Sequence, residues 1–184
     1  LYCERRGAEF YPQAVVLHND LATQYATDPL FYFARLKQGN LLRSMNNFVG
    51  AQIVYENLIN GFPAHEMRYI AELSRADCML ALAGNDSDGL ADAVIILERL
   101  LDLPNLPLDF QAEAAQKWAF ALIKSGSSEK AKEVLWLSVD RFIGDGEKAA
   151  ALGAAGRYWL ARSMLQLGEI FEKQDNLVEA RKVY

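Results

Sequence analysis

RLKQGNLLRSMNNFVGAQIVYENLINGFP, residues 35–63, is the stretch whose reading decides the fold. Its apolar residues recur in steps of three and four, first Leu36, Leu41, Leu42 and Met45, then Ile53, Val54, Leu58 and Ile59. That period is the stripe of a helix packed on one side. A polar break at 44–47 separates the two stripes and a second at 61–64 ends the pair. Within the pair, Gly39, Leu42, Phe48, Ala51, Tyr55, Leu58 and Pro63 alternate small with large. Small residues let two helices approach closely, and large ones fill the groove that results.

Outward from this stretch the pattern returns. LGEIFEKQDNLVEARKVY, residues 167–184, places Leu167, Gly168, Phe171, Leu177, Glu179, Ala180 and Tyr184 in the same order. Ala119, Leu122, Gly126, Ala131 and Leu135 form a third unit around a tight Ser127-Ser128 turn, and Ala76, Met79, Ala93, Leu97 and Leu100 a fourth with a longer loop. Tyr11, Ala14, Leu21 and the turn Asp28-Pro29 read as the second half of an earlier unit. Further breaks at 84–89, 104–109, 125–128 and 144–146 cut the chain into helices of roughly 12 to 20 residues.

A small residue in the first helix, a large apolar one three later, a small one early in the second helix, an aromatic four later and a closing Pro resemble the tetratricopeptide (TPR) repeat. The alanines at 14, 51, 93, 131 and 180 lie 37, 42, 38 and 49 residues apart, longer than the ~34-residue TPR period. Spacing alone also fits HEAT-type helix pairs; the small-to-aromatic pattern in two units favours TPR, with the excess length in 84–88, 104–108 and 144–153. The resemblance implies an all-α fold, antiparallel helix pairs stacked into a right-handed TPR-like α-solenoid. It divides the chain into a partial repeat at 1–29 and repeats at about 30–63, 64–107, 108–143 and 147–184, the last one truncated, within a single domain. The turns QYATDP and NGFPAHE resemble those of bacterial envelope TPR proteins.

Composition agrees. The 184 residues are 52% hydrophobic and 23% charged, too apolar for a disordered tail and too often interrupted by charge for a membrane span. Thr occurs only at Thr23 and Thr27, and no alternating run bounded by turn dipeptides suggests a strand. The net charge of −5 opposes a phosphate-backbone partner, so nucleic acid is not expected. The chain begins at Leu1 without a basic and apolar leader, and the helical pattern of 179–184 ends without a stop signal. It reads as a piece of a longer chain, its compartment open between cytoplasm and the bacterial periplasm or outer membrane.

Catalytic and metal chemistry finds little footing. His18 and His65 fall in different repeats as surface or turn residues, with no partner by spacing. Cys3 and Cys78 read as helical packing residues with no metal-ligand spacing, and a disulfide between them stays open. The run GNDSDG at 84–89 puts Asp86, Asp88 and Gly89 in calcium-loop positions, but Gly84 and Ile95 stand where the anchoring ligands belong. It is expected to be a turn, with Asp88 capping a helix that begins at Gly89 or Leu90. Gly39, Gly50, Gly126 and Gly168 belong to no phosphate-binding loop. Trp118, Trp136 and Trp159 sit in apolar stripes and read as core. The runs Glu129-Lys130, Lys132-Glu133 and Glu169 to Lys173 read as solvated faces with helical ion pairs. No cofactor and no enzymatic activity are expected.

The resemblance implies a protein-interaction scaffold whose first helices line a concave face. Its groove positions fall on Asn40, Arg43, Asp77, Leu80, Phe120, Lys124, Glu169 and Lys173, where apolar Leu80 and Phe120 would bury partner side chains and the charges would set specificity. The clamp with which some TPR domains hold chaperone C-termini is not expected: Leu36 and Glu113 stand at positions that need Lys, Ser74 at one that needs Asn, and only Asn40 fits. The partner is expected to be a protein or peptide. Two alternatives stand beside this reading. One is self-association or a structural role in a larger bacterial envelope assembly; the other is an all-helical small-ligand binder or enzyme.

Overall fold

The computed structural model describes residues 7–84 and 87–184. Cys3, Asn85 and Asp86 lie outside the described residues, and with them the Cys3–Cys78 pairing and the middle of the GNDSDG run. The protein is all-α: among the described residues there is no strand. A 3-10 turn (Ala8–Phe10) leads into α1 (Tyr11–Gln24), α2 (Phe31–Ser44), α3 (Phe48–Gly61) and α4 (Arg68–Ala83). Then follow α5 (Ser87–Leu101), α6 (Leu108–Lys124), α7 (Ser128–Ile143), α8 (Gly146–Ala151), α9 (Ala154–Lys173) and α10 (Leu177–Val183). The chain forms two compact units that divide after Gly84, inside the stretch 64–107 expected to be one repeat.

Three of the connections are the same three-residue turn, and local chemistry makes them so. Asn46, Gly126 and Asp175 take positive φ (59°, 83° and 56°) just past the ends of α2, α6 and α9. The next residue donates its N–H back into the ended helix, Asn47 to the Leu42 carbonyl (2.9 Å), Ser127 to Leu122 (2.8 Å) and Asn176 to Phe171 (2.9 Å). This is the left-handed cap that satisfies the last carbonyls of a helix. Asn47 then starts α3 by accepting the Gly50 N–H at 3.0 Å, and Asn176 starts α10 by accepting that of Glu179 at 3.4 Å. Each turn sends the chain back antiparallel, so that α2 pairs with α3, α6 with α7 and α9 with α10.

In the first unit the core joins Tyr32 and Leu36 of α2, Ala51, Tyr55, Leu58 and Ile59 of α3 and Ala71 and Cys78 of α4. Cys78 is buried. Met45 and Ile53, read as part of the packed stripes, are instead exposed (39% and 55%): Met45 lies in the turn past α2, and close approach at Gly39 turns the Ala51–Tyr55 face of α3 inward and Ile53 out. The second unit buries Ala115, Ala119, Leu122, Ala131, Leu135 and Leu167 in one cluster, and Ala112, Phe142 and Leu152 in another. Each fully buried leucine contributes roughly 1.5–3 kcal/mol of hydrophobic stabilisation.

The small residues sit where helices touch. A Cβ placed on Gly39 would stand 2.5 Å from Tyr55 Cε1, and one on Gly168 would stand 2.5 Å from Tyr184 Cε1. The tyrosine follows its glycine by sixteen residues in both cases. Ala119 and Leu135 hold the same spacing, and both are fully buried. Glycine therefore accompanies a ring, and alanine accompanies leucine.

Three expectations are corrected. The segment 144–153, expected to be inserted loop, contains α8, whose first turn is closed by the Asp145 side chain accepting the Glu147 and Lys148 N–H groups. Helix α5 begins at Ser87, so Asp88 lies inside its first turn rather than at its cap. Of the tryptophans expected in the core, Trp118 and Trp159 are half-buried and pack against the core clusters, whereas Trp136 is 44% exposed. Glu129, Lys130 and Glu133 are exposed as expected, with Lys132 paired to Glu129 at 2.5 Å.

Candidate functional site

In the first unit the positions expected to face a partner are tied to one another. Tyr55 is fully buried, and its hydroxyl donates to Asn40 Oδ1 at 2.7 Å. Burial pushes its phenol up to about 12, against the pull of the Arg43 guanidinium and a hydrogen bond with Ser74. Arg43 is ion-paired with Asp77, the two side chains 36% and 17% exposed. Asn40, Arg43 and Asp77 thus form one cluster around the Tyr55 hydroxyl, joining α2 to α4. Leu80 is half-buried on α4, outside that network. The charges here are used to hold helices together.

The second unit is arranged differently. Helix α6 packs along α9, and the register of α9 is set at its start. There Gly153 donates its N–H to Asp109 Oδ1 at 2.8 Å, while Gly153 and Gly156 leave room for that carboxylate: an added Cβ would stand 2.4 Å and 2.3 Å from its oxygens. A negative group at a helix N-terminus is favoured by the helix dipole. Between the two helices lies an open cavity of about 450 Å³. Gln116 and Phe120 line it from α6, and Tyr158, Arg162, Leu165, Gln166 and Glu169 from α9. The Gln116 amide donates to Gln166 Oε1 at 3.1 Å. Arg162 donates to the Tyr158 hydroxyl at 3.1 Å and lies 5.9 Å and 5.7 Å from the Tyr158 and Trp159 ring centres. No carboxylate lies within ion-pair distance of it among the described residues. Lys124 stands 5.4 Å above the Phe120 ring.

No protein-family model matches the sequence, and no curated protein matches it. Solved structures do. The chain aligns over 97% of its length, and 86% of the other's, with a crystal structure of kinesin light chain nearly identical TPR-like repeats from Podosopora anserina, at 17% identity and a TM-score of 0.55. A crystal structure of a substituted form of the same repeats gives 17% identity and a TM-score of 0.56 over 97% of this chain and 85% of that one. The chain folds as a TPR-like helical repeat.

On this TPR-like fold the expected groove residues part company. Arg43 and Asp77 pair with each other, and Asn40 accepts from Tyr55. Phe120 and Glu169 line the α6–α9 cavity, with Lys124 at its edge. Lys173 is exposed in the last turn of α9, outside the lining. Sequence reasoning missed Gln116, Tyr158, Arg162, Leu165 and Gln166. A signal for them was present: 158, 162, 165, 166 and 169 fall on one helical face, as do 116 and 120. Of the chaperone-clamp positions, Leu36 lies in the core and Glu113 is ion-paired with the largely buried Lys117.

Other chemistry is occupied structurally. His65 lies in the turn before α4, stacked on Tyr32 at 3.6 Å and accepting the Met67 N–H at Nδ1. His18 is half-buried on α1. Among the described residues, no group of three or more metal-ligating side chains gathers, and no helix is long and apolar enough to cross a membrane.

Proposed function

We propose that the chain is a non-catalytic scaffold that holds a segment of another protein on the first-helix face of its repeats, in the groove between α6 and α9. The supporting observation is that groove: its amides, an aromatic-braced guanidinium and the Phe120 ring converge on a space that packing leaves unfilled. An extended peptide offers it a backbone for Gln116 and Gln166, an apolar side chain for Phe120 and Leu165, and polar groups for Arg162, Lys124 and Glu169. Interfaces draw their energy from a few aromatic and arginine anchors. On this reading the repeats are 30–63, 64–107, 108–143 and 147–184, and the Asn40, Arg43 and Asp77 cluster serves as an internal fastening.

The test is selection of peptides from a displayed library on the intact chain, followed by Phe120→Ala and Arg162→Glu, with circular dichroism to verify retained helix. Both variants are expected to weaken the selected peptides at least about tenfold, as hot-spot truncations do. Undiminished binding in both, with the fold intact, removes the groove from consideration.

A further inference from the structure

We infer, building on the scaffold reading above, that the segment held between α6 and α9 is dipolar, with an acidic and a basic side chain about three residues apart and an apolar one between them. Arg162 is the base of the groove lining and Glu169 the acid. Both side chains are exposed, and neither lies within ion-pair distance of an opposite charge among the described residues. Other charges of the second unit close on their own helices, Lys117 on Glu113, Lys132 on Glu129 and Lys182 on Glu179. Arg162 and Glu169 stand seven residues apart instead, about 10 Å or two turns along α9, so they share a face without touching.

The stretch between the two charges has chemistry of its own. Leu165 is exposed there, and the half-buried Phe120 lines the same space from α6. Gln166, its oxygen bound by the Gln116 amide at 3.1 Å, keeps N–H donors for a carbonyl. An extended segment matches this layout. A polyproline-type backbone rises about 3.1 Å per residue with three residues per turn, so side chains three apart share a face roughly 9 Å from one another. One of them meets Arg162 as a carboxylate and the other meets Glu169 as a cation, while an apolar side chain between them covers Leu165. Arg162 is the stronger anchor, because the Tyr158 hydroxyl and the Trp159 ring already fix its direction and little side-chain freedom is lost on binding. Two opposite charges on one face also reject a segment of a single sign, since like charges brought together are penalised.

The experiment selects short random peptides, displayed on phage, against three intact chains: the native one, Arg162→Glu and Glu169→Arg, with circular dichroism to verify retained helix. The native chain is expected to enrich an acid and a base three residues apart, Arg162→Glu two bases at that spacing, and Glu169→Arg two acids. Synthetic peptides of the three kinds, followed by fluorescence anisotropy, are expected to favour the matching chain at least about fivefold per reversed charge, the size of an exposed ion pair exchanged for a repulsion. Phe120→Ala is the control for the groove itself and should weaken the peptides selected on the native chain. Peptides that need Phe120 but carry no paired charges, or whose charges do not follow the two reversals, overturn the dipolar assignment and leave the scaffold reading in place. If no selected peptide needs Phe120, both fall together.

Discussion

The pairing of Gly39 with Tyr55 makes a sharp energetic prediction. A methyl at position 39 would stand 2.5 Å from Cε1 and 2.9 Å from Cζ of a ring that is fully buried and anchored by a 2.7 Å hydrogen bond to Asn40. The ring has nowhere to retreat, so the substitution Gly39→Ala lies toward the upper end of the ~1–3 kcal/mol penalty for overpacking. Against that stands up to about 1 kcal/mol gained by replacing glycine within a helix. The net expectation is a loss of about 2 kcal/mol. Tyr55→Leu removes ring volume and a hydroxyl bond, a loss of about 3 kcal/mol from cavity and hydrogen bond together. In the double variant the leucine leaves the space that the new methyl needs, which is the arrangement already present at Ala119 and Leu135. The double variant is therefore expected to lose about 1–2 kcal/mol less than the sum of the single ones, a coupling of the size seen for residues in contact. Urea unfolding of the four proteins, followed by far-ultraviolet circular dichroism, supplies the cycle. Additivity within about 0.5 kcal/mol would refute the claim that the small residue exists to admit the ring.

Two further predictions concern the helix start at α9 and the buried phenols. Asp109→Ala removes the carboxylate that accepts the Gly153 N–H and should lower stability by about 1–2 kcal/mol. Asp109→Asn, which keeps an acceptor without the charge, should recover part of that loss in thermal melts; equal loss in both would assign the effect to charge alone. Burial raises the phenols of Tyr55 and Tyr32 from 10.0 to about 12, with Glu72 adding to the effect at Tyr32. The unfolded chain releases these protons near pH 10 and the folded one near 12, so their contribution is complete below pH 10 and falls as pH rises beyond it. Phenolate absorbance should show Tyr55 and Tyr32 titrating late, and a late phase reduced but not abolished in Tyr55→Phe would identify one of them.

What could be read from the sequence depended on how local the interaction is. Gly39 with Tyr55 and Gly168 with Tyr184 were legible because a helix, a three-residue turn and a second helix fix their separation. The turns at 44–47 and 125–128 were legible through Asn46 and Gly126, residues that tolerate positive φ. Helix α8 was hidden because Asp145 and Gly146, which read as a break, also form a cap. The site was less legible. Arg43 and Asp77 were placed on the expected helices, but their mutual ion pair depends on the approach of α2 to α4, which composition does not encode. The face of α9 turned toward α6 depends on the seating of Asp109 against Gly153 and Gly156, residues 44 and 47 positions away.

A repeat unit has only so many polar groups on its first-helix face, and bonding them internally withdraws them from a partner. In the first unit Arg43 and Asp77 are committed to each other and Asn40 to Tyr55, so a ligand would have to break an existing ion pair or hydrogen bond to use them. Removing one member of a partly buried pair leaves the other uncompensated. In the second unit Lys117 is committed to Glu113, and on the facing helix α9 Arg162 is braced by rings that hold its direction while leaving its charge uncancelled. A guanidinium held in place loses less entropy when it binds. Recognition is thus expected in the second unit, where the charge is positioned but unspent.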